Sequence, residues 1–210
     1  PAPATPKLTI IIPVYNEVRT IAGVIDAVCR WGKAHQIIVV DDGSTDHTVD
    51  VVQNLGRSVD IISYPHNQGK GYAIAKGIAA SRGTMLLFLD GDIIGLTPRD
   101  MDALVAPMVD GQADMVLGLV RFWRLKAFGP HKSITGVRGV WRSYVCSHLD
   151  AMKRSGYGLE VFLNRIHKGK VIVSVPLSSV YIVDKMAKQP FFSAMASYLR
   201  ELREVVIHYF

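Results

Sequence analysis

The chain has 210 residues, of which 49% are hydrophobic and 20% are charged, and this composition is typical of one globular domain with a substantial core. Its formal net charge of +6 is compatible with an anionic partner, such as a phosphorylated small molecule, an anionic membrane surface or nucleic acid. The sequence lacks a zinc-finger, RNP-like or basic-zipper pattern, which argues against nucleic acid. Cys29 and Cys146 lack the spacing of a zinc site or a disulfide framework, so we expect reduced thiols.

The apolar runs are short. The longest, residues 8–14 and 85–89, fall far below the ~20 residues that a membrane-spanning helix needs. The first residues are rich in proline and alanine and lack the apolar core of a signal peptide. We therefore expect a cytoplasmic chain in which residues 1–7 form a flexible tail.

The first half alternates between short β-rich runs and stretches with apolar residues at helical spacing. This pattern predicts strands at residues 8–13, 36–40, 60–64 and 85–89. It predicts helices at residues 17–31, 49–55 and 72–81. Strands that alternate with helices are typical of a parallel sheet covered by helices, so we expect an α/β fold.

The second half has a looser pattern. We expect helices at residues 98–109, 144–153 and 158–167, strands at 114–120, 171–175 and 179–183, and a flexible loop at 121–134. We expect residues 191–210 to form an amphipathic helix that packs on the domain or in a homodimer, with peripheral membrane contact as the alternative. No linker interrupts residues 8–190, so we expect a single domain there.

Acidic or polar motifs follow three of the predicted strands. They are Pro13-Val14-Tyr15-Asn16-Glu17, Asp41-Asp42-Gly43-Ser44 and Asp90-Gly91-Asp92. Each motif alone is also compatible with an ordinary turn. However, ligands bind at the carboxyl ends of the strands in an open α/β sheet, and all three motifs are predicted to lie on that edge.

The side chains on this edge match the parts of a nucleotide sugar. Tyr15 offers a flat face for a base, and Glu17 and Asp42 can accept hydrogen bonds from base or ribose. Asp90 and Asp92 offer the oxygen ligands that Mg²⁺ or Mn²⁺ prefers, and such an ion can bridge a diphosphate. The residues therefore indicate a nucleoside-diphosphate sugar as donor.

Four segments, in this order and spacing, resemble the motifs of family 2 glycosyltransferases of the GT-A fold. They are Pro13-Val14-Tyr15-Asn16-Glu17, Val40-Asp41-Asp42-Gly43-Ser44, Asn67-Gln68-Gly69-Lys70-Gly71 and Asp90-Gly91-Asp92. The resemblance implies a GT-A (Rossmann-like) fold with a mostly parallel sheet flanked by helices. It also implies inverting transfer from a GDP- or UDP-sugar, with Mg²⁺ or Mn²⁺ held by Asp90 and Asp92. The nucleotide-sugar site that it implies comprises Pro13, Tyr15, Glu17, Val40, Asp42, Lys70, Asp90, Gly91 and Asp92.

The second half is similar to the dolichyl- or polyprenyl-phosphate sugar transferases of that family. Thr135-Gly136-Val137-Arg138 resembles their Ser-Gly-Phe-Arg segment, and Tyr157-Gly158-Leu159-Glu160 resembles their Gly-Phe-Glu segment. The likeness implies that Arg121 and Arg138 bind phosphate groups. It also implies that Lys185 and Lys188 belong to a late loop that closes over the donor.

The chain departs from the family pattern in two places. Ile93 and Ile94 follow the acidic pair where the family often has a polar third metal ligand. The segment between Arg121 and Arg138 is also altered, which leaves the acceptor open.

Two kinds of acceptor remain open. A polyprenyl phosphate is already anionic, so its attack needs positioning and charge neutralisation rather than a general base. A saccharide or other hydroxyl acceptor needs a base, for which Glu160 is the candidate. The predicted catalytic residues are therefore Asp92, Arg121, Arg138 and Glu160.

Other function classes share some of these sequence features. A non-catalytic module that binds nucleotide sugars shares the same binding residues. A dinucleotide-binding dehydrogenase needs GxGxxG after the first strand, whereas Gly69-Lys70-Gly71 follows the third strand and lacks the last glycine.

Overall fold

The first half of the fold consists of strand and helix units in alternation. The computed structural model describes residues 6–122 and 135–182. The elements in this half are β1 (Leu8–Val14), α1 (Ile21–Trp31), β2 (Gln36–Asp41), α2 (Thr48–Asn54), β3 (Asp60–Ser63), α3 (Lys70–Ala80) and β4 (Met85–Phe88). The strands and helices predicted for this half are confirmed, with shifts at some of their ends.

The second half combines longer strands with short helices. Its elements are β5 (Ile93–Ile94), α4 (Pro98–Val109), β6 (Met115–Phe122), β7 (Arg138–Trp141), α5 (Arg142–Val145), α6 (Leu149–Lys153), α7 (Leu159–Ile166) and β8 (Ile172–Ile182). Short 3₁₀ turns at Cys146–His148 and Gly156–Gly158 precede α6 and α7. The predicted helix at residues 98–109 is confirmed at both ends, and its start is fixed by a capping box between Thr97 and Asp100.

The described strands form one sheet in the order β3-β2-β1-β4-β7-β6-β8-β5. Neighbouring strands from β3 to β4 are parallel, and so are β6 and β8. Strand β7 is antiparallel to both β4 and β6, and β5 is antiparallel to β8. The prediction of an α/β fold with a mostly parallel sheet flanked by helices is therefore confirmed.

Both faces of the sheet are covered by apolar side chains. In β1, Ile10 and Ile12 belong to the core on one face, together with side chains of α1 and α4. Ile11 points to the other face, where side chains of α3 and α7 pack. A strand buried on both faces needs side chains that are apolar or hydrogen-bonded, which explains why β1 is apolar except for Thr9, whose hydroxyl donates to Gln36.

Some predicted elements differ from the structure. Helix α1 begins four residues later than expected, because residues 17–20 form a turn in which the carbonyl of Glu17 accepts from the N–H groups of Thr20 and Ile21. The predicted helix at 144–153 is broken by a 3₁₀ turn, and the strands predicted at 171–175 and 179–183 are parts of β8. Strands β5 and β7 were not predicted, since two and four residues are too few to show a period.

Several predictions lie outside the described residues. They concern residues 1–5 of the tail, residues 123–134 of the loop, Lys185, Lys188 and the helix at 191–210. The domain limits therefore stay a prediction. Within residues 6–122 and 135–182, the helices are all too short or too polar to span a bilayer.

Candidate functional site

The loops that follow β1, β2 and β4 meet at the carboxyl edge of the sheet. The N–H of Asp42 donates to the carbonyl of Val14 at 2.8 Å, which joins the first two loops. Gly91 packs against the end of β1 so closely that an added Cβ would lie 2.7 Å from Cγ1 of Val14. The three acidic or polar motifs therefore lie side by side, as the topological argument predicts.

The loop after β1 is held in place by the loop after β2. Asn16 has a φ of 57°, a left-handed conformation that asparagine tolerates, and its Oδ1 accepts from the N–H of Thr45 at 2.8 Å. The N–H of Glu17 donates to Oγ1 of Thr48 at 2.8 Å. This bracing leaves the Tyr15 ring at the rim with 41% of its surface exposed, where it can meet a ligand.

Asp42 is buried and serves as an anchor for the chain that enters α3. Its two carboxylate oxygens accept from the N–H groups of Gln68 and Gly69, at 2.7 and 2.9 Å. Burial raises the pKa of Asp42, against the opposing effect of these two N–H groups. The neighbouring Val40 is buried in the sheet, and Pro13 is half-buried in β1. In this structure Asp42 therefore positions the segment that carries Lys70.

Lys70, the first residue of α3, joins two carboxylates from distant parts of the chain. Its ammonium lies 2.7 Å from Oδ1 of Asp90 and 2.8 Å from Oε1 of Glu160, which is in the first turn of α7. Gly136 packs directly over this group, and a Cβ there would collide with Nζ of Lys70 and with both oxygens of Asp90. The arrangement is a compact charged cluster that has little free space on the side of Gly136.

The charges in this cluster shift one another's protonation. Burial would lower the pKa of Lys70, but its ion pairs with Asp90 and Glu160 outweigh that effect and raise it. Burial raises the pKa of Asp90, with Lys70 opposing and the nearby Asp92 carboxylate adding to the rise. For Glu160, Lys70 and Arg138 outweigh burial and lower the pKa. The cluster thus contains three carboxylates, those of Asp90, Asp92 and Glu160, and two cations, those of Lys70 and Arg138. It therefore has an excess of negative charge.

Arg138 lies inside the protein, with 0% of its surface exposed. Its Nε donates to the carbonyl of Thr135 at 2.6 Å, and its Nη1 donates to Oδ1 of Asn164 at 2.7 Å. Burial lowers its pKa to about 10, against the opposing charges of Glu160 and Asp90. The predicted phosphate contact of Arg138 stays a prediction, and in this structure the side chain is held by protein groups.

Arg121 lies near the end of β6, on the same edge of the sheet. In the strand register, Arg138 of β7 pairs with Leu117 of β6 and with Phe88 of β4. Arg121 follows Leu117 along β6, so it lies nearer to the carboxyl edge than Phe88 does. Arg121 is half-buried as a residue, and its guanidinium donates to the carbonyl of Ser178 at 3.4 Å in an exposed hydrogen bond. The predicted partners Lys185 and Lys188 lie outside the described residues.

Asp90 and Asp92 could hold a divalent cation, because Mg²⁺ is typically bound by one or two carboxylates together with phosphate oxygens and water. The excess negative charge of the cluster fits such a cation. Ile93, which follows the pair, is buried at 2% exposure and pairs with Ile182 of β8, so that this position supplies no third ligand. Within the described ranges, no group of three or more His, Cys, Asp or Glu side chains is arranged to hold a metal.

Sequence reasoning missed two residues of this cluster. Asn164 lies four positions after Glu160 on α7, so the i, i+4 spacing could have placed both on one helix face. Gly136 belongs to the motif Thr135-Gly136-Val137-Arg138, which by itself predicts no contact for it. Its contact with Lys70 and Asp90 joins distant segments, and no local pattern signals such a contact.

The sequence matches the family described as Glycosyl transferase family 2 over residues 9–179. It is similar to a dodecaprenyl-phosphate galacturonate synthase of Rhizobium johnstonii, with 25% identity over 81% of this chain and 50% of that protein. It is also similar to an undecaprenyl-phosphate 4-deoxy-4-formamido-L-arabinose transferase of Pseudomonas paraeruginosa, with 32% identity over 54% of this chain and 35% of that protein. The chain thus spans half or less of the length of these relatives.

The structure is similar to that of glucosyl-3-phosphoglycerate synthase from Mycobacterium tuberculosis, solved in complex with Mn²⁺, UDP and phosphoglyceric acid. The TM-score is 0.75 at 22% identity, and the match covers 98% of this chain and 79% of that chain. This likeness confirms the predicted GT-A fold. Because the family match extends over most of the chain and includes all three motifs of the carboxyl edge, the protein belongs to glycosyl transferase family 2.

Proposed function

We propose that this chain is a metal-dependent, inverting glycosyltransferase that moves a sugar from a nucleoside-diphosphate sugar to a polyprenyl phosphate. The observation that carries the proposal is the meeting of three loops around Asp90 and Asp92 at the carboxyl edge of the sheet. Relatives named for transfer to dodecaprenyl and undecaprenyl phosphates support the choice of acceptor.

The cation of the proposed enzyme is Mg²⁺ or Mn²⁺, held by Asp90 and Asp92. When bound, it offsets the negative charge that develops on the leaving nucleoside diphosphate. The proposal is supported by structures of the Mycobacterium tuberculosis synthase that contain UDP with Mn²⁺ or with Mg²⁺.

The donor would lie along the carboxyl edge. Tyr15 would stack on the base, and Glu17 would accept hydrogen bonds from the base or the ribose. Pro13 and Val40 would form the apolar floor beside them, while Asp42 holds the segment that carries Lys70. We propose that Lys185 and Lys188 close over the diphosphate.

The acceptor would attack the anomeric carbon while the bond from that carbon to the diphosphate breaks, and the nucleoside diphosphate would leave. A phosphate oxygen is anionic near neutral pH, so this step needs no general base. The geometry of Glu160 favours such an acceptor, because its carboxylate is buried and engaged by Lys70. Arg121 would bind the acceptor phosphate, whereas Arg138 would hold the interior of the site in place.

A second candidate acceptor is a small phosphorylated molecule that is glycosylated on a hydroxyl group. Glucosyl-3-phosphoglycerate synthase of Mycobacterium tuberculosis is 31% identical over 53% of this chain, and it has the same fold. In that case Glu160 would have to leave Lys70 to act as the base. Peripheral membrane contact and a homodimer are further proposals, and both depend on residues 191–210.

A panel of UDP- and GDP-sugars with Mn²⁺ or Mg²⁺ tests the proposal. Each donor is incubated with the full chain and a short-chain polyprenyl phosphate, 3-phosphoglycerate or a simple glycoside, and the products are identified by mass spectrometry. We expect a polyprenyl phospho-sugar that disappears when EDTA removes the cation. Product formed only on a hydroxyl would support the second candidate. Donor binding by calorimetry without any product would indicate a binding module and would contradict an enzyme.

A further inference from the structure

The ammonium of Lys70 forms an ion pair with Asp90, which is one of the two proposed ligands of the cation. Its Nζ lies 2.7 Å from Oδ1 of Asp90, and both side chains are largely buried, with 21% and 16% of their surfaces exposed. A divalent cation binds oxygens at about 2.0–2.2 Å, so a cation on the carboxylate of Asp90 would lie close to the ammonium. The two cations also repel each other strongly where water is largely excluded.

The structure fixes Lys70 in this position from several directions. Lys70 begins α3, directly after the segment whose N–H groups are bound by Asp42. Glu160 binds the same ammonium on its other side, at 2.8 Å. Gly136 closes the space above the group, since even a Cβ there would collide with it. In the absence of ligands, the ammonium is therefore held between two carboxylates as their counter-ion.

We propose that Lys70 is a positioning residue that acts as the internal counter-ion of Asp90 and keeps cation affinity low until the donor binds. The inference rests on the proposed function for the identity of the metal ligands. A cation that binds Asp90 repels the ammonium and weakens its ion pair with Asp90, and the ammonium can then bind the diphosphate of the donor. Binding of the cation and binding of the donor are thereby coupled, each favouring the other.

Mn²⁺ alone is the probe for this proposal, measured by electron paramagnetic resonance of the free ion with the full chain. Lys70→Met removes the ammonium and keeps a side chain of similar length. We expect it to lower the Kd for Mn²⁺ by at least about tenfold. Lys70→Arg keeps the charge and should stay near the wild-type Kd. Lys76→Met is the matched control, because it removes the same charge from the same helix at a side chain that lies over Tyr72.

A second variant is needed because Lys70→Met leaves the buried carboxylates of Asp90 and Glu160 without their partner, and the protein could then fail to fold. Lys70→Met combined with Glu160→Gln keeps the net charge and leaves one buried carboxylate instead of two. It should still bind Mn²⁺ more tightly than the wild type, and Mn²⁺ should raise its Tm more than that of the wild type. Wild-type or weaker Mn²⁺ affinity in this double variant would overturn the proposal.

The experiment separates this proposal from the proposed function. It contains neither donor nor acceptor, so failure to find a transfer reaction would leave the metal-binding result intact. Conversely, an unchanged Kd in the variants would refute the counter-ion role of Lys70 without contradicting the proposed glycosyltransferase function.

Discussion

Burial decides what a charged residue does in this protein. Lys153 and Asp150 form an exposed pair at 2.9 Å, a distance close to the 2.7 Å between Lys70 and Asp90. The exposed pair is surrounded by water, which screens the attraction, so it contributes little to stability. In the largely buried pair, loss of one partner leaves a desolvated charge, which typically costs about 3–5 kcal/mol. Ion pairs of similar length therefore differ in their effect on the stability of the fold.

At the residue scale, we predict that Asp92→Asn removes most of the sugar transfer. The amide keeps the size of the carboxylate but loses the charge that would hold the cation, and we expect the rate to fall by roughly 10²–10³-fold. Asp110→Asn, at the exposed end of α4, is the matched control and should keep the wild-type rate. Initial rates and urea unfolding curves check both variants. A wild-type rate in Asp92→Asn would refute the assignment of the metal ligand.

At the scale of elements, the loop after β2 and the segment before α3 depend on each other. Asp42 binds the N–H groups of that segment, and Gly43 packs against its backbone. Gly43 has a φ of 75°, a conformation that L side chains adopt only with strain. The two segments must therefore keep this close contact for Lys70 to reach Asp90.

We predict that Gly43→Ala destabilises the protein more than Gly56→Ala does. Both glycines have positive φ, at 75° and 59°, so each substitution costs about 1–2 kcal/mol in backbone strain. A Cβ at Gly56 meets open space, whereas one at Gly43 would lie 2.7 Å from the carbonyl carbon of His66. This overlap should add about 1–3 kcal/mol. Urea unfolding measures the difference, and equal losses in the two variants would show that the loops separate easily.

The elements also show which predictions local patterns support. Helix α4 was predicted with both ends correct, since the spacing of its apolar residues is a local signal. Strand β7 was missed because its four residues are placed by pairing with β4 and β6, which are distant in sequence. Strand β7 therefore depends on tertiary pairing and is not predicted by its local sequence.

At the scale of the whole molecule, the pH dependence of stability should reflect His167. This side chain is fully buried, its Nδ1–H donates to the carbonyl of Leu163 at 2.8 Å, and its ring packs edge-to-face on Tyr144. Burial lowers its pKa, with the hydrogen bond to Leu163 opposing and the charge of Arg138 adding to the fall. The folded protein thus favours the neutral imidazole.

The sign of the effect follows from this lowered pKa. Below the unfolded value of about 6.5, the unfolded chain binds a proton at His167 that the folded chain resists. Stability from this group is therefore present above pH 6.5 and is lost as the pH falls towards the folded pKa. Urea unfolding at pH 7.5 and pH 5.5 should show a smaller loss for His167→Gln than for the wild type. Equal losses would mean that other groups dominate the acid sensitivity.

The amino-acid sequence by itself determined the α/β class, the order of the first elements and the three loop motifs. These features depend on side-chain periodicity and turn chemistry, which act over a few neighbouring residues. Only the tertiary structure decided which charges meet. Lys70 and Glu160 are 90 positions apart, and Arg138 and Asn164 are 26 apart, so their contacts arise from the packing of α3, β7 and α7 around the sheet edge. Burial of Arg138 and the sharing of Lys70 between two carboxylates follow from that packing, because desolvation is a property of the assembled fold.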